Sequence, residues 1–185
     1  MTLGTFEKLQ EHFKRRLQFG EELHRRPDLP MAMHDAGQAF AYEYHDIRVE
    51  RCALGSPSCK TDGEFVQSGA TTEPDTRREI TKHNLWLEVV CTIAGSAAQH
   101  GVDELGAKDS AVRDVQRAAE FIERTGLNLE QADELILAAS KAAAKIMAEN
   151  IGTVKKIADV LEQKKQIEGY ELRKIIRQSK ESARP

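Results

Sequence analysis

Cysteine is scarce in this chain. Three cysteines, Cys52, Cys59 and Cys91, are spread over 185 residues. They are too few for a disulfide framework, and none has the C-x-x-C spacing of a zinc ribbon or a redox site. The sequence therefore predicts reduced thiols that pack as small apolar side chains.

Long apolar runs are also lacking. No stretch approaches the roughly 18 consecutive apolar residues that a membrane span needs. Residues 1–16 are charged throughout and have no apolar centre of the kind found in a signal peptide. We therefore expect a cytoplasmic protein without a membrane span.

An excess of one charge is missing as well. The formal net charge is −3, and residues of both signs are interspersed. No broad positive field is available to attract a phosphate backbone, which argues against nucleic acid as a partner. The residues that are present, 40% hydrophobic and 31% charged, are typical of a folded soluble domain.

The length predicts one domain with appendages. We expect an N-terminal helix and linker over residues 1–29, a main domain over 30–176 and a flexible tail over 177–185. Apolar residues at mostly three- and four-residue spacing predict an amphipathic helix over residues 5–25, and prolines follow it. The apolar positions are Phe6, Leu9, Phe13, Leu17 and Phe19 or Leu23, and the prolines expected to end the helix are Pro27 and Pro30.

Helix signals dominate the rest of the chain, which predicts a mainly α (α+β) fold. Helices are expected from about Met31 to Tyr44, over 75–101, over 110–126 with Ser110 as its cap and Gly126 at its end, over 128–164, and over 169–178. The apolar seam of the longest helix contains Met147, Ile151, Val154, Ala158 and Leu161.

One β hairpin is predicted between the first two of these helices. Residues 47–54, "IRVERCAL", alternate apolar and polar side chains, and residues 63–69, "GEFVQSG", are the expected partner strand. The loop between them contains "GSPSCKT", which is too short and has too few glycines for a phosphate-binding loop.

The stretch "HDAGQ", His34 to Gln38, differs from the zinc motif H-E-x-x-H at two positions. In that motif two histidines on one helical face bind zinc, and the glutamate is the general base. Asp35 has one methylene less than glutamate, and Gln38 is a neutral amide in place of an imidazole. Both changes are expected to weaken zinc binding and catalysis.

Several segments in series resemble the FtsH-type peptidase domain. "HDAGQAFAYEYHDIRVERCAL" is similar to its "HEAGHA…PVxKVTI", and "LWLEVVCTIAGSAAQHGVDELG" to its "L…ALGGRAAEEL…FG". "GAKDSAVRDVQRAAEFIER" resembles "GASNDLERATEIAR", and the last third resembles the family's C-terminal helices. The resemblance spans roughly residues 30 to 176 and implies a zincin-like helical domain.

The resemblance also implies a ligand set. His34 matches the first metal ligand, Asp35 the general base, Gln38 the second ligand and Asp114 the third, with Asp109 as a rival for that position. The small residues that pack the family's helices are retained at Gly37, Ala39, Gly95, Ala97 and Ala98. The family's ATPase motifs are not found, so we expect the chain to act alone or beside a separate partner.

Three functions follow as hypotheses. The first is a metallopeptidase-like pseudoenzyme whose zinc-dependent hydrolysis is lost or weakened, with zinc bound weakly or not at all. The second is a metal hydrolase that uses His34, Asp114 and Gln38. The third is a non-enzymatic protein that binds a peptide or protein partner, or forms a homo-oligomer, through its long helix or through the hairpin edge near Val49 to Leu54.

Overall fold

A computed structural model describes residues 25–55, 59–61, 64–66, 70–72 and 84–182. Most of the predicted N-terminal helix, and residues 75–83 of the helix predicted over 75–101, lie outside these ranges. The described elements, in chain order, are α1 (Leu29–Tyr44), β1 (Val49–Ala53), β2 (Cys59–Thr61), β3 (Glu64–Val66), β4 (Ala70–Thr72), α2 (Leu85–Gln99), α3 (Glu104–Glu123), α4 (Leu129–Lys164), β5 (Gln166–Glu168) and α5 (Gly169–Ser182). The predicted mainly α architecture is confirmed, and no helix within the described residues is long and apolar enough to cross a membrane.

Helix α1 begins two residues earlier than predicted. Pro30 was expected to end the preceding helix, but it lies in the first turn of α1. Backbone N–H groups in the first turn make no helical hydrogen bond, so proline, which lacks an N–H, fits there. The helix ends at Tyr44, and Asp46 adopts a left-handed conformation with φ of 59° that turns the chain toward β1.

Helix α2 packs against α1, α3 and α4, so it is the centre of the fold. Its contact with α1 is close because the facing residues are small. A Cβ built on Gly37 would lie 2.5 Å from the Ala98 Cβ and 2.8 Å from the Ala94 carbonyl oxygen. The predicted role of small residues in close helix packing is confirmed at Gly37 and Ala98.

Helix α3 begins six residues before the predicted cap. Asp103 caps it by accepting a hydrogen bond from the Gly106 amide at 3.0 Å, and Ser110 is a buried residue inside the helix. The prediction of Ser110 as the cap is therefore wrong. The helix ends at Glu123, and Gly126 occupies the following turn with φ of 70°.

Helix α4 matches its prediction closely. Asn128 accepts from the Gln131 amide while the Gln131 side chain accepts from the Asn128 amide, forming a capping box. The predicted apolar seam is buried except at Ile151, which is 37% exposed. Because Val154 is fully buried, most of this seam belongs to the core and is not a surface for an oligomer.

The predicted hairpin is wrong in its pairing. Strand β1 is the middle strand of a sheet with the order β4-β1-β5, and β3, in the segment predicted to pair with it, pairs with β2 instead. Cys52 lies opposite Ala70 on one side and Ile167 on the other. Both edges of β1 are therefore occupied, and strand addition near Val49 to Leu54 is excluded.

Helix α5 continues to Ser182, so the prediction of a flexible tail over 177–185 is corrected for residues 177–182. The helix starts where Gly169 lies against β1, since a Cβ there would be 1.8 Å from the Val49 carbonyl oxygen. Arg173 then donates to the Glu43 carboxylate at 3.0 Å and holds α5 against the end of α1.

Two glycines on different helices test the close packing of α1 on α2. Gly37→Ala should lower the free energy of unfolding by about 1–3 kcal/mol, because the added methyl overlaps Ala98 and the α2 backbone. Gly152→Ala is the matched control in α4, where a Cβ would meet nothing within 4 Å. It should raise stability by about 0.5–1 kcal/mol through helix propensity. Urea unfolding of both variants measures the difference, and equal effects would contradict the close contact.

Candidate functional site

Three of the four predicted site residues contact one turn of α2: His34 and Gln38 from α1, and Asp114 from α3. Asp35, also on α1, contacts His34 and the turn after β1. A Cβ on Gly95 would lie 2.7 Å from the His34 Nε2 atom, so the imidazole rests directly on the α2 backbone. Only a glycine at this position leaves room for the ring.

Asp114 is the α3 carboxylate that reaches His34. Its Oδ1 lies 3.3 Å from the His34 Nε2, and its Oδ2 accepts from the Ser96 amide at 3.1 Å. Asp114 is 5% exposed, whereas Asp109 is exposed on the outer face of α3. The geometry therefore brings Asp114, and not its rival, into the site.

Asp35 lies on the opposite side of the imidazole. Its Oδ1 is 3.4 Å from the His34 Nδ1, and its Oδ2 accepts from the Gly55 amide at 3.0 Å. The Cys52 thiol donates to the Asp35 carbonyl at 3.7 Å. Asp35 is 4% exposed, so its carboxylate is directed at the ring and at the turn after β1.

Gln38 is buried one turn after His34. Its Nε2 donates to the Thr92 carbonyl at 3.1 Å, and its Oε1 has no hydrogen-bond partner among the described residues. Thr92 and Ser96 are four residues apart, the spacing that one backbone hydrogen bond joins in an α-helix. Gln38 and Asp114 thus bind the two ends of the same helical turn.

The charge on His34 follows from its surroundings. Burial alone would lower its pKa, but the hydrogen bonds and charges of Asp114 and Asp35 outweigh burial and raise the pKa to about 9. At neutral pH the ring is an imidazolium that donates from both nitrogens. The site therefore contains its own cation between two carboxylates.

The donors only partly fit a zinc peptidase centre. The 3.3 Å between His34 Nε2 and Asp114 Oδ1 is close to the separation of two ligands that each lie about 2.0–2.1 Å from a tetrahedral zinc ion. The third donor is a neutral amide oxygen, a poor zinc ligand. Asp35 lies at the other ring nitrogen, away from any ion held at Nε2. The full arrangement of three ligands and a general base is not met.

The structure thus brings His34, Asp35 and Asp114 into direct contact, and turns the Gln38 nitrogen toward α2. Among the described residues, no cluster of three or more histidine, cysteine, aspartate or glutamate side chains is placed to hold a metal ion. Sequence reasoning missed Thr92, Ser96 and Gly55, which enter the site through backbone groups. Every amino acid carries a backbone donor or acceptor, so the sequence does not show which backbone groups enter the site. Of the three residues, only Gly55 offered a signal, because it is a glycine.

No model of a known protein family matches the chain, and no curated protein matches it significantly.

The charged His34 should make stability depend on pH. Its pKa is about 9 in the folded chain against 6.5 in the unfolded chain, so its contribution is fully present below pH 6.5 and is lost as the pH rises through 9. We expect the free energy of unfolding to fall by roughly 3 kcal/mol over that interval. Urea unfolding between pH 6 and 9.5, in EDTA, measures it.

Replacement of one carboxylate isolates this effect. Asp114→Asn should flatten the pH dependence because the neutral amide no longer stabilises the imidazolium, while Asp109→Asn, on the exposed face of the same helix, should leave it intact. An equally steep profile in Asp114→Asn would contradict the ion pair.

Proposed function

We propose that the protein is an FtsH-type peptidase-like pseudoenzyme, a helical domain that has lost peptide hydrolysis and acts through binding. The observation that carries this proposal is the placement of Asp35 and Asp114 at opposite nitrogens of His34.

A general base must face the water that it deprotonates, at about 2.6–3.2 Å. The Asp35 carboxylate is occupied by the His34 ring and by the Gly55 amide. Turning it toward the Nε2 side would leave that amide without its acceptor and would remove a charge from the imidazolium. Asp35 is therefore a positioning residue for His34 and for the turn after β1.

His34 and Asp114 also have a use in the absence of a metal ion. A buried imidazolium is stable only when carboxylates are next to it, and the two aspartates meet that need. The pair joins α1 to α3 across α2, and Asp114 further binds the Ser96 amide. These contacts support a structural role for the residues that the resemblance assigns to chemistry.

Within the described part of the chain, the Asp35 carboxylate is directed away from the Nε2 side of His34, which favours binding over hydrolysis as the function of this domain. A peptide or protein partner, or a second copy of the chain, remains the proposed occupant of its surface. Strand β1 is not the binding edge, because it is paired on both sides.

A metal hydrolase with an altered ligand set is the second candidate. Two observations favour it: the buried Gln38 Oε1 without a described partner, and the 3.3 Å separation of the His34 and Asp114 donors. It requires the His34 imidazolium to release its proton to solvent so that Nε2 can bind the ion, against the preference created by the two carboxylates.

Zinc analysis and a hydrolysis assay on untagged protein distinguish these candidates. We expect zinc well below one equivalent after dialysis. We also expect the protein to cleave an unfolded, fluorescently labelled substrate protein no faster than its His34→Ala variant does. One equivalent of zinc that disappears in His34→Ala, together with hydrolysis that disappears with it, would overturn the pseudoenzyme in favour of the hydrolase.

Restoring the motif is a second test. Asp35→Glu combined with Gln38→His should raise zinc affinity at least about tenfold, equivalent to ~1.4 kcal/mol of binding free energy, because an imidazole replaces the amide. Asp35→Glu combined with Asp109→His is the matched control and should leave zinc affinity unchanged. Equal affinities in the two double variants would contradict the assigned second-ligand position.

A further inference from the structure

A cleft lies between α4 and α5. Its volume is about 600 Å³; α4 contributes one lysine to the lining, and α5 contributes one apolar and four polar side chains. The lining residues are Lys156, Ile175, Gln178, Ser179, Glu181 and Ser182.

The cleft contains a polar group without a partner. Ser179 is 8% exposed, and its hydroxyl is buried with no hydrogen-bond partner among the described residues. A serine within a helix commonly donates to a carbonyl of the preceding turn, as Ser182 does to the Gln178 carbonyl at 2.8 Å. A buried hydroxyl left unpaired costs free energy, so a ligand with a polar group would be favoured there.

The start of the described chain lies beside this cleft. The Arg26 guanidinium donates to the Asp159 carboxylate at 2.6 Å and to the Glu162 carboxylate at 2.7 Å. Lys165 donates to the Asp28 carboxylate at 2.7 Å, which gives the same segment a second contact with the end of α4. Asp159 is three residues after Lys156, about 4.5 Å along the helix axis. Residues 1–24 therefore join the domain within one or two turns of the cleft.

Residues 1–24 carry an apolar stripe in their sequence. The stripe containing Phe6, Leu9, Phe13 and Leu17 needs an apolar surface, and Ile175 is a half-buried apolar side chain in the lining. We propose that residues 1–24 bind in the α4–α5 cleft of their own chain, with the apolar stripe against Ile175 and a polar group near the Ser179 hydroxyl.

Thiol labelling of the full chain tests this proposal. Gln178→Cys places a reporter thiol in the lining. Arg177→Cys places one on the preceding residue, which is exposed and outside the lining. The maleimide reaction at position 178 should be about tenfold slower than at 177, since a bound state favoured roughly tenfold leaves the thiol accessible for about a tenth of the time. The buried Cys91 reports any unfolding.

A substitution within residues 1–24 should then make the thiol at position 178 accessible to maleimide. Adding Phe13→Asp should raise the rate at position 178 to that at 177, because a charge enters the apolar stripe. Arg15→Gln makes the same change in net charge at a polar position of the predicted helix and should leave the rate slow. If Phe13→Asp exposes Cys91, Phe6→Asp takes its place with the same expectation.

Three outcomes would overturn the proposal. Equal rates at 177 and 178 would mean that nothing covers the cleft, and protection that survives substitutions in the apolar stripe would mean that another part of the chain covers it. Protection that increases with protein concentration would assign the cleft to a second copy.

Discussion

The turn of α2 from Thr92 to Ser96 is the structure to which the other elements attach. Gly95 lets the His34 ring lie on its backbone, Gln38 donates to the Thr92 carbonyl, and Asp114 accepts from the Ser96 amide. Three helices are thus joined through backbone groups of a single turn. A larger side chain at 95 would displace the imidazole from its position on the α2 backbone.

The electrostatics of the site follow from that packing. Once His34 is buried between two aspartates, the imidazolium is the preferred state, because removing its proton would leave two buried carboxylates without their cation. Asp114, the carboxylate that an ion held at Nε2 would use, is thereby paired within the protein. The Asp35 carboxylate, directed at the His34 ring and at the Gly55 amide, adds the turn after β1 to the same cluster of contacts.

The local signals of the helices were readable from sequence. The apolar periodicity of α4 placed it within a residue of its observed bounds, and "HDAGQ" with its downstream resemblance predicted that His34 and Asp114 meet, which they do. The partner of β1 was not readable, because β5 is only three residues long and follows a 36-residue helix. A strand of that length has no periodicity of its own, so its pairing depends on where α4 ends.

What the sequence by itself determined is therefore the set of helices and the candidate residues, since both depend on side chains close together in the chain. The tertiary structure decided what those residues do. Only folding could direct Asp35 to the Gly55 amide and Gln38 to the Thr92 carbonyl, because both partners are backbone groups that any amino acid carries. The spacing of "HDAGQ" describes a metal motif, and the tertiary contacts show which partners Asp35 and Gln38 bind in the folded chain.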